Sequence, residues 1–149
     1  MKHLLDASAL IPAVTKLGKH LLIKATRENM VTTDLAIYEA CNSLWKLAAL
    51  LKTISLEDAL EVAAVLKDLS AKKIVETVAF SKLDLSRILK MATKEELSFY
   101  DASYIEAAKT VEAILVTEDR KLRKTASKYV KTATYRELER KLETRPHAP

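Results

Sequence analysis

Four acids lie far apart in this chain, and each follows or opens a segment whose pattern would carry it to a common edge. Asp6 ends the apolar run of "HLLDASAL", Asp119 lies just past "AILVT", Asp101 stands near the start of the segment "SFYDASYIEAAKTVE", and Glu39 falls within the first two turns of a helix opening near Asp34. Each acid also has an ordinary structural use. Asp119 suits the N-cap of the basic segment after it, Ser98 with Asp101 matches a capping box, Glu39 can be a solvated helix residue and Asp6 a turn residue. Together they imply more. Carboxylates crowded without a cation repel and raise one another's pKa, so a cluster of four points to a divalent ion. Hard oxygen donors favour Mg²⁺ or Mn²⁺.

The elements that would deliver these acids follow from periodicity. The 149 residues, 49% hydrophobic, are the size of one domain with a sizeable core. A single glycine and three prolines argue against a turn-rich all-β fold. Short runs in "HLLDASAL", "MVTTD", "IVETVAF", "AILVT" and "YVKTAT" have strand character. Between them lie helical patterns. Leu17, Leu21, Leu22 and Ala25 space one within "VTKLGKHLLIKATREN", and Ile37, Cys41, Leu44, Trp45, Ala48 and Leu51 form an apolar stripe on a long helix from Asp34 to about Lys52. Asp34 is expected to cap that helix. Ser55 with Asp58 opens the next, "SKLDLSRILKMATKEEL" and "EDRKLRKTASK" read as two more, and Thr134 with Glu137 caps a terminal one. Short strands alternating with amphipathic helices predict a three-layer α/β/α sandwich with a mostly parallel central sheet. In such sheets ligands gather beyond the carboxyl ends of the strands, where strand order reverses. One domain is expected over residues 1–142, with 143–149 a disordered tail.

Composition narrows the setting. No apolar run approaches a membrane span and Asp6 interrupts any signal-peptide core, so a cytoplasmic protein is expected. The lone Cys41 can form neither an internal disulfide nor a thiolate metal cluster, and it is expected in the core. The net charge of +5 fits an anionic partner such as nucleic acid, or the ion-paired surface of a thermostable protein.

Read together, Asp6-Ala7-Ser8, Glu39 with Asn42, "YDASYIEAA" around Asp101, and "LVTED" with Thr117 before Asp119 resemble a PIN (PilT N-terminus) domain. The likeness runs from Leu4 to about Leu138. More narrowly it resembles the VapC-type toxin ribonucleases of toxin–antitoxin pairs. The resemblance implies an acidic pocket for Mg²⁺ or Mn²⁺ and endonucleolytic cleavage of RNA. Asp6, Glu39, Asp101 and Asp119 match the acidic quartet, Ser8 and Thr117 the usual hydroxyls, with Asn42 beside them. Glu118 adjoins Asp119, but the Thr-x-Asp pattern selects Asp119. A homodimer and an antitoxin lying across the active-site groove are further implications.

The chemistry expected of such a pocket is metal-assisted hydrolysis. Asp6, Asp101, Asp119 and Glu39 would hold the metal, directly or through water, and Glu39 would orient or deprotonate the attacking water. Ser8 and Thr117 would hold a ligand or water from behind. Arg120, Lys121, Arg123, Lys124, Lys128 and Lys131 put six positive charges into twelve residues without an acid, a candidate for phosphate contacts or else a solvated helix face. Trp45 is read as core or interface, while Phe99 and Tyr100 flank Asp101 and can line the cleft. The alternatives are a PIN-like protein that binds RNA or serves as a scaffold without cutting, and a phospho-acceptor receiver module, which the single early acid fits poorly.

Overall fold

Strand β1 (Lys2–Leu5) lies at the centre of a five-stranded sheet of order β3-β2-β1-β4-β5, every pair parallel. The computed structural model describes residues 1–17, 20 and 29–144. Strand β2 (Met30–Thr33) pairs with β1 through Leu4↔Val31, and β4 (Ala113–Val116) pairs on the other side from Lys2↔Ala113 to Leu5↔Val116. The edges are β3 (Glu76–Val78) and β5 (Thr132–Ala133). All four residues of β2 and of β4 are buried, as expected of strands covered on both faces. Thr32, inside the buried strand β2, satisfies its hydroxyl by donating from Oγ1 to the Leu5 carbonyl at 2.8 Å.

Chain order moves from β1 outward to β2 and β3, then jumps to β4 and β5 on the far side of β1. Right-handed crossovers therefore put the helices before the jump on one face and those after it on the other. The first group is α1 (Ala7–Leu17), α2 (Asp34–Trp45), a π-helical turn over Lys46–Leu50, and α3 (Leu56–Ala71). These pack on one another. The second group is α4 (Leu85–Glu95), α5 (Phe99–Thr110) and α6 (Arg120–Ala126), with α4 lying along α5. Helix α7 (Tyr135–Thr144) closes the described chain and touches α1. The reversal of winding leaves a crevice between the carboxyl ends of β1 and β4.

Capping residues set where these helices begin. Ser55 Oγ accepts from Asp58 N, Ser98 Oγ from Asp101 N and Thr134 Oγ1 from Glu137 N, as the sequence patterns predict. Helix α2 differs. Its cap is Thr33, whose hydroxyl accepts from Ala36 N at 3.0 Å, so Asp34 is its first helical residue instead. Asp34 accepts from its neighbour Leu35 N and from Phe80 N, tying α2 to the segment after β3.

Other expectations are also corrected. The first helix starts at Ala7, directly after Asp6, and most of the segment holding Leu21, Leu22 and Ala25 lies outside the described residues, as do residues 145–149. The buried face of α2 is Ala36, Ala40 and Leu44, rotated from the expected stripe. Cys41 is exposed rather than in the core, and Trp45, 52% exposed, lies outside the core, which leaves only the interface half of its reading. Two small alanines and one leucine make that buried face, and the bulkier Tyr38 and Trp45 turn outward. Among the described residues no helix is long and apolar enough to cross a membrane.

Candidate active site

Asp6 leaves β1 at the crevice and is 4% exposed. Its Oδ1 accepts from Ala9 N at 3.0 Å, capping α1, and from Ser8 Oγ at 2.6 Å. Ser8 Oγ lies 3.3 Å from Thr117 Oγ1, a contact in which either hydroxyl can donate, and Thr117 also hydrogen-bonds the Asp6 carboxyl. Ser8 Oγ also accepts from Glu118 N at 2.9 Å, and Thr117 Oγ1 accepts from Asp119 N at 3.1 Å. Two hydroxyls thus lace the end of β1 to the end of β4. Burial pushes the Asp6 carboxyl above its ordinary range, against the pull of these hydrogen bonds.

Glu39 arrives from the second turn of α2 and is half-buried. Its Oε1 accepts from Tyr104 Oη at 3.0 Å. Burial raises its pKa, and the negative charges of Asp101 and Asp6 raise it further. Asp101 lies in the first turn of α5, where Ser98 has taken over the backbone cap through the Asp101 amide. The Asp101 carboxyl is likewise held high, first by burial and then by Asp119, with Lys121 opposing. Asp119 is exposed and does cap α6, its Oδ1 accepting from Leu122 N at 3.0 Å. Capping leaves these acids chemically available, since a cap occupies one oxygen or only an amide.

The four acids are therefore coupled in a chain, Asp6 to Glu39 to Asp101 to Asp119, across one crevice. Among the described residues no three His, Cys, Asp or Glu side chains stand as a closed metal-binding group. What they share is an all-oxygen donor set with unbalanced negative charge, which is the chemistry of a hard divalent cation. Glu118 points elsewhere. Its Oε1 accepts from Tyr135 N and caps α7, which separates it from Asp119 as a donor.

The basic segment is divided by its contacts. Arg120, Lys121 and Lys124 are exposed, whereas Arg123 is partly buried and its Nη1 donates to the Thr117 carbonyl at 2.8 Å. Lys128 pairs with Glu95 at 2.9 Å, away from the acids. Lys131 is exposed at the foot of β5. Asn42 is exposed and lines a cavity with Glu39.

Tyr104 is the participant that residue-level reading overlooks. It lies three residues after Asp101 within a run, Ala102 to Ala108, that is buried throughout because α5 is enclosed by the sheet and α4. A tyrosine in a buried helix needs a partner for its hydroxyl, and that requirement is the only signal the sequence carries. Arg123 was visible only as one charge among six.

Comparison with known proteins places this geometry in context. The model of the PIN domain matches residues 3–128. A Pyrobaculum aerophilum protein named Exonuclease VapC9 is 35% identical over 122 residues, covering 82% of this chain and 84% of its own. The crystal structure of PAE2754 from Pyrobaculum aerophilum superposes with a TM-score of 0.72 at 27% identity, over 97% of this chain and 91% of that one. A PilT N-terminus domain protein, SSO1118 from Sulfolobus solfataricus P2, shares the fold with a TM-score of 0.55 at 20% identity, over 100% and 99% of the two chains.

Proposed function

The chain belongs to the PIN domain family, and on that premise we propose that it is a divalent-metal-dependent endoribonuclease, the toxin of a toxin–antitoxin pair. The observation that carries the reading is the convergence of Asp6, Glu39, Asp101 and Asp119 at the strand-order reversal, with three of the four carboxyls held high. The similarity to a protein named Exonuclease VapC9 supports the nuclease part of the reading.

Asp6, Asp101 and Asp119 are the residues that would hold Mg²⁺ or Mn²⁺. The chemistry such an ion supplies when bound is neutralisation of phosphate charge and a more acidic water. The protein supplies the rest. Ser8 and Thr117 lock the orientation of Asp6. Glu39, with its carboxyl above the ordinary range and oriented by Tyr104, positions the attacking water and takes its proton. Arg120, Lys121 and Lys124 hold flanking phosphates, keeping RNA against a pocket whose own charge repels it. On the same reading the protein acts in the cytoplasm as a homodimer, silenced by a protein antitoxin over the crevice.

A closed circular single-stranded RNA tests the proposal. Incubation with Mn²⁺ should yield linear product, while chelator or Asp6→Asn should abolish it. Degradation of linear RNA alone would replace internal cleavage with attack from an end. Cleavage that survives chelation or the substitution would overturn the metal nuclease altogether.

A further inference from the structure

Beside the acids a cavity of about 720 Å³ opens between α2 and the start of α5, lined by Leu35, Tyr38, Glu39, Asn42, Lys46 and Tyr100 among others. Its size is within the roughly 300–1,000 Å³ of small-molecule sites. Leu35, Tyr38, Glu39, Asn42 and Lys46 recur at helical spacing, so one face of α2, continued by its helical C-cap residue Lys46, carries them. Along that face Lys46 stands roughly 10 Å from Glu39. Tyr100, in the first turn of α5, closes the other side one residue before Asp101. The cavity therefore shares Glu39 with the four acids and adjoins Asp101 through Tyr100.

Its lining has a particular chemistry. Tyr38 and Tyr100 are 79% and 60% exposed, large aromatic surfaces left in water rather than in the core. Aromatic faces of this kind accept stacked bases whatever their sequence. Asn42 adds an amide with both donor and acceptor, the pattern that pairs with the N6/N7 edge of adenine. Lys46, the cation of the lining, suits a phosphate at the far end. Phenol, amide and ammonium in that order along one helix match base, base edge and backbone.

We infer that this cavity is a nucleotide subsite, taking one unpaired base of single-stranded RNA next to the scissile phosphate, stacked against Tyr100 and Tyr38 and read by Asn42. The inference rests on the ribonuclease reading and deepens it to the recognition of a particular nucleotide. An unpaired base is required because a duplex keeps its faces stacked internally.

The test has two arms. In the first, 2-aminopurine is placed at successive positions of an oligouridine RNA and titrated with wild type, Tyr100→Leu and Tyr38→Leu. Wild type should quench the probe at one position only. Loss of the ring should remove that quench and weaken binding about tenfold or more. In the second arm, a randomised RNA is cut and its ends sequenced. Wild type should prefer adenine at one position relative to the cut, and Asn42→Ala should flatten the preference. Should Tyr100→Leu fail to fold, Tyr38→Leu and Asn42→Ala supply the same readings. No position-dependent quench in wild type, or a quench unchanged in both tyrosine variants, overturns the subsite even where RNA is cut. A quench without any cleavage supports the subsite and overturns the nuclease reading instead. Loss of self-association in Tyr100→Leu with an unchanged quench assigns the cavity to a second protein chain and overturns the proposal.

Discussion

The Tyr104 phenol donates to Glu39 Oε1 over 3.0 Å, joining the buried helix α5 to the second turn of α2. The bond favours the charged carboxylate and so pulls down a pKa that burial, Asp101 and Asp6 all push up. Replacing Tyr104 by phenylalanine keeps the ring and removes the donor. Glu39 should then protonate at higher pH, moving the acid limb of the rate profile upward. Turnover should fall about ten- to a hundredfold. A pH–rate profile checks both, and an unmoved acid limb would show that Glu39 does not govern it.

Burial of Asp6, Glu39 and Asp101 sets the sign of a stability change with pH. All three titrate higher in the fold than in the unfolded chain, so across that interval the folded state binds more protons. Stability of the metal-free protein should therefore rise as pH falls through the raised folded-state pKa values and level off below the ordinary carboxylate range. Asp6→Asn, which retains an acceptor for Ser8 and Ala9, should raise the metal-free Tm at neutral pH while abolishing cleavage. Mn²⁺ should raise the wild-type Tm through preferential binding to the fold. Thermal melts across pH, with and without Mn²⁺, read all three effects.

On the proposed function, helix α6 carries charges that hold RNA beside one that holds the fold. Lys121→Glu and Lys124→Glu alter exposed side chains and should weaken RNA affinity, each neutralised contact flattening the salt slope by about 0.7. Arg123→Ala should lower Tm as well, because its guanidinium donates to the Thr117 carbonyl behind the acids. Affinities over a salt series, paired with melts, distinguish the two behaviours. Equal Tm losses for all three would remove the distinction.

Helix α4 ends on Glu96 in the left-handed region, at φ 55° and ψ 41°. A side chain there clashes with its own backbone, and glycine would not. Glu96→Gly should stabilise the protein by about 1 kcal/mol without changing cleavage. Urea unfolding gives the difference directly, and a loss of stability would mean that the Glu96 side chain contributes more than its backbone costs.

Much of this protein was legible in local pattern. Capping by Ser55, Ser98 and Thr134 needs only a side chain and the amide three residues on, so spacing determines it. Alternation of short apolar runs with amphipathic helices likewise implied parallel strands, because a parallel pair requires a crossover. The positions of Asp6 and Asp119 after two such runs followed from the same alternation. Tertiary structure alone decided the rest. The rotation of α2, which buries Ala36, Ala40 and Leu44, left Cys41 exposed against a hydrophobic stripe that placed it inside, and left Trp45 outside the core. The bond between Tyr104 and Glu39 spans 65 residues of sequence. Glu118 and Asp119 are neighbours in the chain, yet one caps α7 and the other α6 at the crevice. Such choices depend on which backbone amides lie within reach after the sheet has formed, and no local spacing encodes that.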